Sequence, residues 1–202
     1  MTHFLYLVRH GEADPHDGPL SQAGEQQARL TGRRLKDVPL SGIHHGPLPR
    51  AAQTADLIAA SLPGVPVAAC DLAGDYLPFA ADPDGLPAGF ASFLASFSAA
   101  DRARGPELAA AALERFARAG GEQGDTHELV VTHNFLIGWF VSQALAAPPW
   151  RWMGLNQMNC ALTVIAYPPG WPAALISFND AGHLPPELRW TGFPDAVRPA
   201  SG

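Results

Sequence analysis

The chain has almost no lysine: Lys36 stands alone beside twelve arginines, and the formal net charge is −6. That balance excludes a nucleic-acid surface, which needs a basic stripe to displace counterions from phosphates. There are only two cysteines, Cys70 and Cys160. Neither sits in a CxxC pair or in a Cys/His cluster with zinc spacing, so a disulfide framework and a zinc cluster are both unexpected. Long apolar runs are missing too. The longest, near "LVVTHNFLIGWFV", is interrupted by polar residues, so no membrane span or secretory signal is expected and the chain reads as cytoplasmic. "GGEQGD" lacks the GK[ST] ending of a P-loop, no HExxH is present, and no internal repeat is evident.

With 202 residues, 47% of them hydrophobic and 16% charged, the chain suits one α/β domain over residues 1–202. "HFLYLV" (3–8) predicts a buried strand, since apolar residues run there without helical spacing. "SQAGEQQARLTGRRLK" (21–36) predicts a helix that Ser21 can cap. A short strand in "SGIHHGPLPR", a helix over "AAQTADLIAASL" ended by Pro63-Gly64 and a strand near 65–69 follow. Residues 71–105, rich in Ala, Pro, Gly and Phe, form a variable segment expected to cover a pocket; its stripe Phe90, Phe93, Leu94 and Phe97 reads first as core. Pro106 is expected to open a helix over 106–119. "ELVVT" predicts a strand, "NFLIGWFVSQAL" a helix, and "CALTVIAY" and "AALISF" two late strands joined by "PPGWP". Strands alternating with helices predict a three-layer α/β/α sandwich with a mostly parallel central sheet. Ligands in such folds bind beyond the carboxyl ends of strands, here at Arg9-His10 and His133.

Cations at the end of a buried strand are costly unless an anion is their partner. Four stretches in order, "LVRHGEA", "LSQAGEQQA", "PLPRAAQTA" and "LVVTHNFLI", resemble the histidine phosphatase superfamily, the group that contains phosphoglycerate mutases. The resemblance spans roughly residues 4 to 167. It implies a phosphoglycerate-mutase-like fold and a phosphatase that hydrolyses phosphate monoesters through a phosphohistidine, without metal or other cofactor. His10 would be the nucleophile, its second ring nitrogen held by a carbonyl near Gly11. Arg9, Arg50 and His133 would bind the phosphoryl oxygens, with Arg50 acting at a helix N-terminus.

Two positions depart from the common family pattern. The proton donor falls in "CDLAGDYLPFAADPDG", which resembles the "L-x-E-x-x-P" segment of the mitochondrial protein-phosphatase branch and implies Asp75, with Asp71 as runner-up. His16 stands where many members have an asparagine on the phosphate, and would either substitute as a donor or stand solvated. His183 is expected to be structural rather than to close the pocket, and Asn159 to support the site from behind. The partner would be a phosphorylated small molecule or a phosphopeptide. A mutase-type phosphotransferase and a catalytically silent phospholigand-binding domain stay open as alternatives. Against the mutase, the covering segment offers only Arg102 and Arg104, both at its far end.

Overall fold

Leu5 and Leu7 on one face of the first strand, and Val8 on the other, are all inaccessible to solvent. A strand buried on both faces reads as continuous hydrocarbon, which explains the uninterrupted "FLYLV". The computed structural model describes residues 1–14, 18–79, 86–121 and 124–199. Its strands are β1 (His3–Arg9), β2 (Gly42–His45), β3 (Val67–Ala69), β4 (Thr126–Thr132), β5 (Leu162–Tyr167) and β6 (Ala174–Asp180). They form one sheet in the order β3-β2-β4-β1-β5-β6. β1 through β4 run parallel, and β5 is antiparallel to both β1 and β6.

The helices are α1 (Gln22–Leu35), α2 (Pro49–Ala59), α3 (Ala88–Ala95), α4 (Ala99–Phe116) and α5 (Asn134–Ala144). Along α1 the buried positions Gly24, Gln27, Ala28, Thr31, Gly32 and Leu35 follow the helical period, and Ser21 caps it by accepting from the Gly24 N–H at 3.1 Å. Leu35, Ala51, Ala55 and Ile58 of α1 and α2 pack with Val8, Ile43, Leu129 and Val131 on one face of the sheet. Ala109, Ala112 and Phe116 of α4, with Leu136, Ile137 and Phe140 of α5, cover Leu5, Leu7 and Val130 on the other. That alternation along β1 and β4 makes the three-layer α/β/α sandwich. Among the described residues no helix is long and apolar enough to cross a membrane.

The expected helix start at Pro106 is corrected. α4 begins seven residues earlier, at Ala99, capped by the Ser98 side chain, which accepts from the Asp101 N–H at 3.1 Å, and Pro106 lies inside the helix. An interior proline costs more than one cap returns, and the helix is held across Pro106 by the Ser98 cap together with the burial of Gly105, Ala109, Ala112 and Phe116. The aromatic stripe divides: Leu94 is buried, Phe93 is 37% exposed, and Phe97 meets Phe93 and Phe135 edge-on.

Topology also locates the crevice. The chain leaves β1 for α1 on one face and leaves β4 for α5 on the other, and these two strands are neighbours. Their carboxyl ends therefore diverge around a gap, the switch point at which open α/β sheets bind ligands.

Candidate active site

β1 ends at Arg9, so His10 emerges at that gap, its N–H held by the Thr132 carbonyl at 3.0 Å. His10 is only 8% exposed. Its Nδ1 lies 2.8 Å from the Gly11 carbonyl, which can only accept, so Nδ1 carries the proton and Nε2 the lone pair. Arg50 Nε donates to that lone pair at 3.1 Å. Burial first, then electrostatic interaction with His133, Arg9 and Arg50, pulls the His10 pKa down to about 2, against the opposing Gly11 bond. The imidazole is neutral at any working pH.

Arg50 sits at the start of α2, behind Pro49, and is only 8% exposed. Its Nη2 donates to Asp75 Oδ2 at 2.9 Å and lies 3.5 Å from His133 Nδ1. Asp75 Oδ2 is also 3.5 Å from His133 Nδ1. His133 follows β4 as the N-cap residue of α5, buried, with its ring 5.0 Å from that of His10. Asp75 follows the 3-10 turn Asp71–Ala73, which Thr132 Oγ1 ties to the end of β4 by donating to the Ala73 carbonyl at 2.8 Å. Arg9 differs: Nη1 donates to the backbone carbonyls of Gln157 and Gly192, each at 2.6 Å. Burial lowers its pKa to about 10, with Asp75 opposing, so it stays a cation.

The structure therefore brings Arg9, His10, Arg50, Asp75 and His133 together. Asp71 is exposed and reaches the adjoining cleft instead, and His16 lies outside the described residues. His183 packs away from the site, with Nε2 3.0 Å from Thr31 Oγ1. Asn159 stands directly behind, donating from Nδ2 to the His10 carbonyl at 2.8 Å.

Other supports carry weaker signals in the sequence. Thr54 accepts from the Gly11 N–H at 3.0 Å and donates to the Arg50 carbonyl at 2.7 Å. Its i+4 spacing from Arg50 in "RAAQT" was the available clue. Gln27 accepts from the Glu12 N–H at 2.8 Å. Gly24 lets α1 approach that loop, since a Cβ there would stand 1.9 Å from the Glu12 carbonyl oxygen.

A cleft of about 590 Å³ adjoins the cluster and shares Asp75 with it. Its walls include Tyr76, Phe97, Phe135 and Leu108, with Asp71, Asp101 and Arg104 at the polar positions. Arg104, at the far end of the covering segment, lies on α4 and lines this cleft. A neutral nucleophilic nitrogen, two guanidiniums, a second imidazole and a carboxylate around one point form a receptacle for a phosphoryl dianion, with a proton source beside it.

Comparison with known proteins agrees with that chemistry. The model of the histidine phosphatase superfamily (branch 1) matches residues 5–73 and 81–180. The serine/threonine-protein phosphatases PGAM5, mitochondrial, of Rattus norvegicus and Homo sapiens are each 31% identical over 194 residues, covering 92% of this chain. The chain spans 65% of the length of those relatives. Among solved structures, Bacillus stearothermophilus YhfR aligns with a TM-score of 0.68 at 21% identity, over 90% of this chain and 98% of that one. A phosphoglycerate mutase from Plasmodium falciparum aligns with a TM-score of 0.64 at 22% identity, over 92% and 95%. These two likenesses establish the fold.

Proposed function

The chain belongs to the histidine phosphatase superfamily, and from that premise we propose that it is a metal-independent phosphatase hydrolysing phosphate monoesters through a phosphohistidine on His10. The observation that carries the reading is the fixed tautomer: Gly11 holds the Nδ1 proton, leaving the Nε2 lone pair among Arg50, His133 and Asp75. A phosphoryl group entering there competes for the donors that Arg50 gives to His10 and Asp75. Once Arg50 turns to the phosphoryl oxygens, Nε2 is free to attack, and Asp75, losing its cation to a dianion, binds a proton more readily.

In the first step the Nε2–P bond forms as the ester P–O bond breaks, and protonated Asp75 gives its proton to the leaving oxygen. In the second, the Asp75 carboxylate takes a proton from water, the resulting hydroxide oxygen bonds phosphorus, and the P–N bond breaks to return neutral His10 and inorganic phosphate. Arg9, Arg50 and His133 stabilise the charge on the equatorial oxygens in both. Asp75 contacts Arg50 and His133, whereas Asp71 lines the adjoining cleft and is the weaker candidate for the acid.

The cleft would receive the leaving group, from a phosphorylated small molecule or a phosphopeptide. Its polar wall sets one guanidinium, Arg104, against the carboxylates of Asp71, Asp75 and Asp101. A wall of that sign disfavours the doubly phosphorylated intermediate a mutase must retain. A cytoplasmic location is likewise a proposal, set against the mitochondrial names of the relatives, and cell fractionation decides it.

His10→Ala tests the reading. It should abolish turnover, and the wild-type enzyme quenched with labelled substrate should lose its label in acid and keep it in alkali. Acid-stable label, or an active His10→Ala enzyme, would overturn it. Turnover should also survive EDTA, because the side chains already supply the positive environment, and vanadate should block it.

A further inference from the structure

Arg9 and Arg50 are held in opposite ways. Arg50 contacts other side chains of the site, whereas Arg9 commits Nη1 to two backbone carbonyls, of Gln157 and Gly192. Its Nε–H is buried with no partner among the described residues. A guanidinium is a rigid planar fork of five N–H donors, so anchoring Nη1 orients the Nε/Nη2 edge without occupying it. That edge has the geometry of a bidentate oxyanion clamp, on a cation close enough to depress the His10 pKa.

Gly192 belongs to a C-terminal strap, residues 184–193, which lies past residue 180, where the family match ends. Leu184 and Leu188 bury it against Ala28, Met158 and Cys160. Gln27 Nε2 donates to the Leu188 carbonyl and to Thr191 Oγ1, each at 2.8 Å, and the Thr191 carbonyl accepts from the Asn159 N–H at 3.0 Å. Gln27 and Asn159 also hold the backbone of Glu12 and His10 through their side chains, so the strap and the nucleophile loop are fastened by the same two residues, with Asn159 using its backbone N–H on the strap. Gly192 has φ +69°, and a Cβ there would stand 2.4 Å from Asn159 Oδ1 and 2.9 Å from Arg9 Cζ. Only glycine brings a carbonyl to Arg9 at that point.

We propose that this strap is a positioning device for phosphate recognition, with Gly192 the positioning residue that sets the free edge of Arg9 toward the phosphoryl group. The proposal rests on Arg9 binding phosphate, as in the function proposed above. Gly192→Ala should weaken vanadate inhibition and raise KM for an aryl phosphate by about tenfold, with a smaller change in kcat. In an Arg9→Ala background the same substitution should add nothing, because its effect passes through Arg9. Thr191→Val, which only loosens the strap, should move the same constants by about threefold, and carries the test should Gly192→Ala not fold. Wild-type vanadate inhibition in both strap variants, or a loss that adds fully to Arg9→Ala, overturns the proposal. An Arg9→Ala enzyme that still binds vanadate as wild type overturns it together with the role of Arg9, while acid-labile label on His10 tests the phosphohistidine separately.

Discussion

Two clusters of arginine, histidine and carboxylate lie at different heights of β4, and they do different things. Near the start of the strand, the Glu128 carboxylate takes both Arg115 terminal nitrogens at 3.2 Å, with His44 Nε2 at 3.5 Å and His3 Nε2 at 3.7 Å. Beyond its end, Asp75 faces Arg50, Arg9 and His133 around His10. Below, one carboxylate answers one guanidinium and the bidentate pair closes on itself. Above, among the described residues, one carboxylate stands among two guanidiniums, beside the His10 nitrogen that the proposed reaction uses. The residue types are the same, and among the described residues the ratio of guanidiniums to carboxylates is what differs.

The sharpest way to break this comparison is to remove a cation from the upper cluster. Arg50→Ala should lower kcat/KM by about 10²- to 10³-fold, as deletion of one preorganised donor to a developing charge does. Steady-state kinetics with one aryl phosphate measure it, and a loss under tenfold would mean that the excess of charge is incidental. Asp75→Asn comes next. It should slow alkyl phosphates by about 10²-fold and aryl phosphates much less, since an aryl oxide leaves with little protonation. Equal losses for both ester types would remove Asp75 from the role of acid.

Glu128→Gln should have the smallest effect on turnover, within about twofold, and destabilise the fold by about 1–3 kcal/mol through the charged hydrogen bonds it weakens. Its pH dependence has a definite sign. Hydrogen bonding to His44 first, then Arg115, holds the Glu128 pKa at about 2 against an ordinary 4.5. The stabilisation is therefore complete above about pH 4.5 and is lost as pH falls toward about 2. Urea midpoints across that window should fall more steeply for wild type than for Glu128→Gln; parallel curves would show that the lower cluster contributes no such linkage.

The clusters also differ in how far they were legible beforehand. Arg9, His10 and His133 could be picked out because they follow buried strands, and Arg50 because "PLPRAAQTA" resembles the family's motif. Asp75 was singled out on a loop resemblance, and the structure adds its contacts to Arg50 and His133. Glu128, Arg115, His44 and His3 lie too far apart in the chain, and too plainly within ordinary strands and a helix, to be read as a group. Pro106 misled because a proline that opens a helix and one tolerated inside it look alike until the cap at Ser98 is seen.

The α/β alternation, the buried first strand and the identity of the central cations were determined by local sequence, through apolar periodicity and through side chains whose chemistry is visible wherever they stand. The charge ratio at each end of β4, the cleft beside Asp75 and the strap on Arg9 were decided only by tertiary structure. Coulombic balance depends on which distant residues converge. The strap acts through carbonyl oxygens, which every residue has, so nothing in the letters at Gln157 or Gly192 could announce that their backbones aim an arginine.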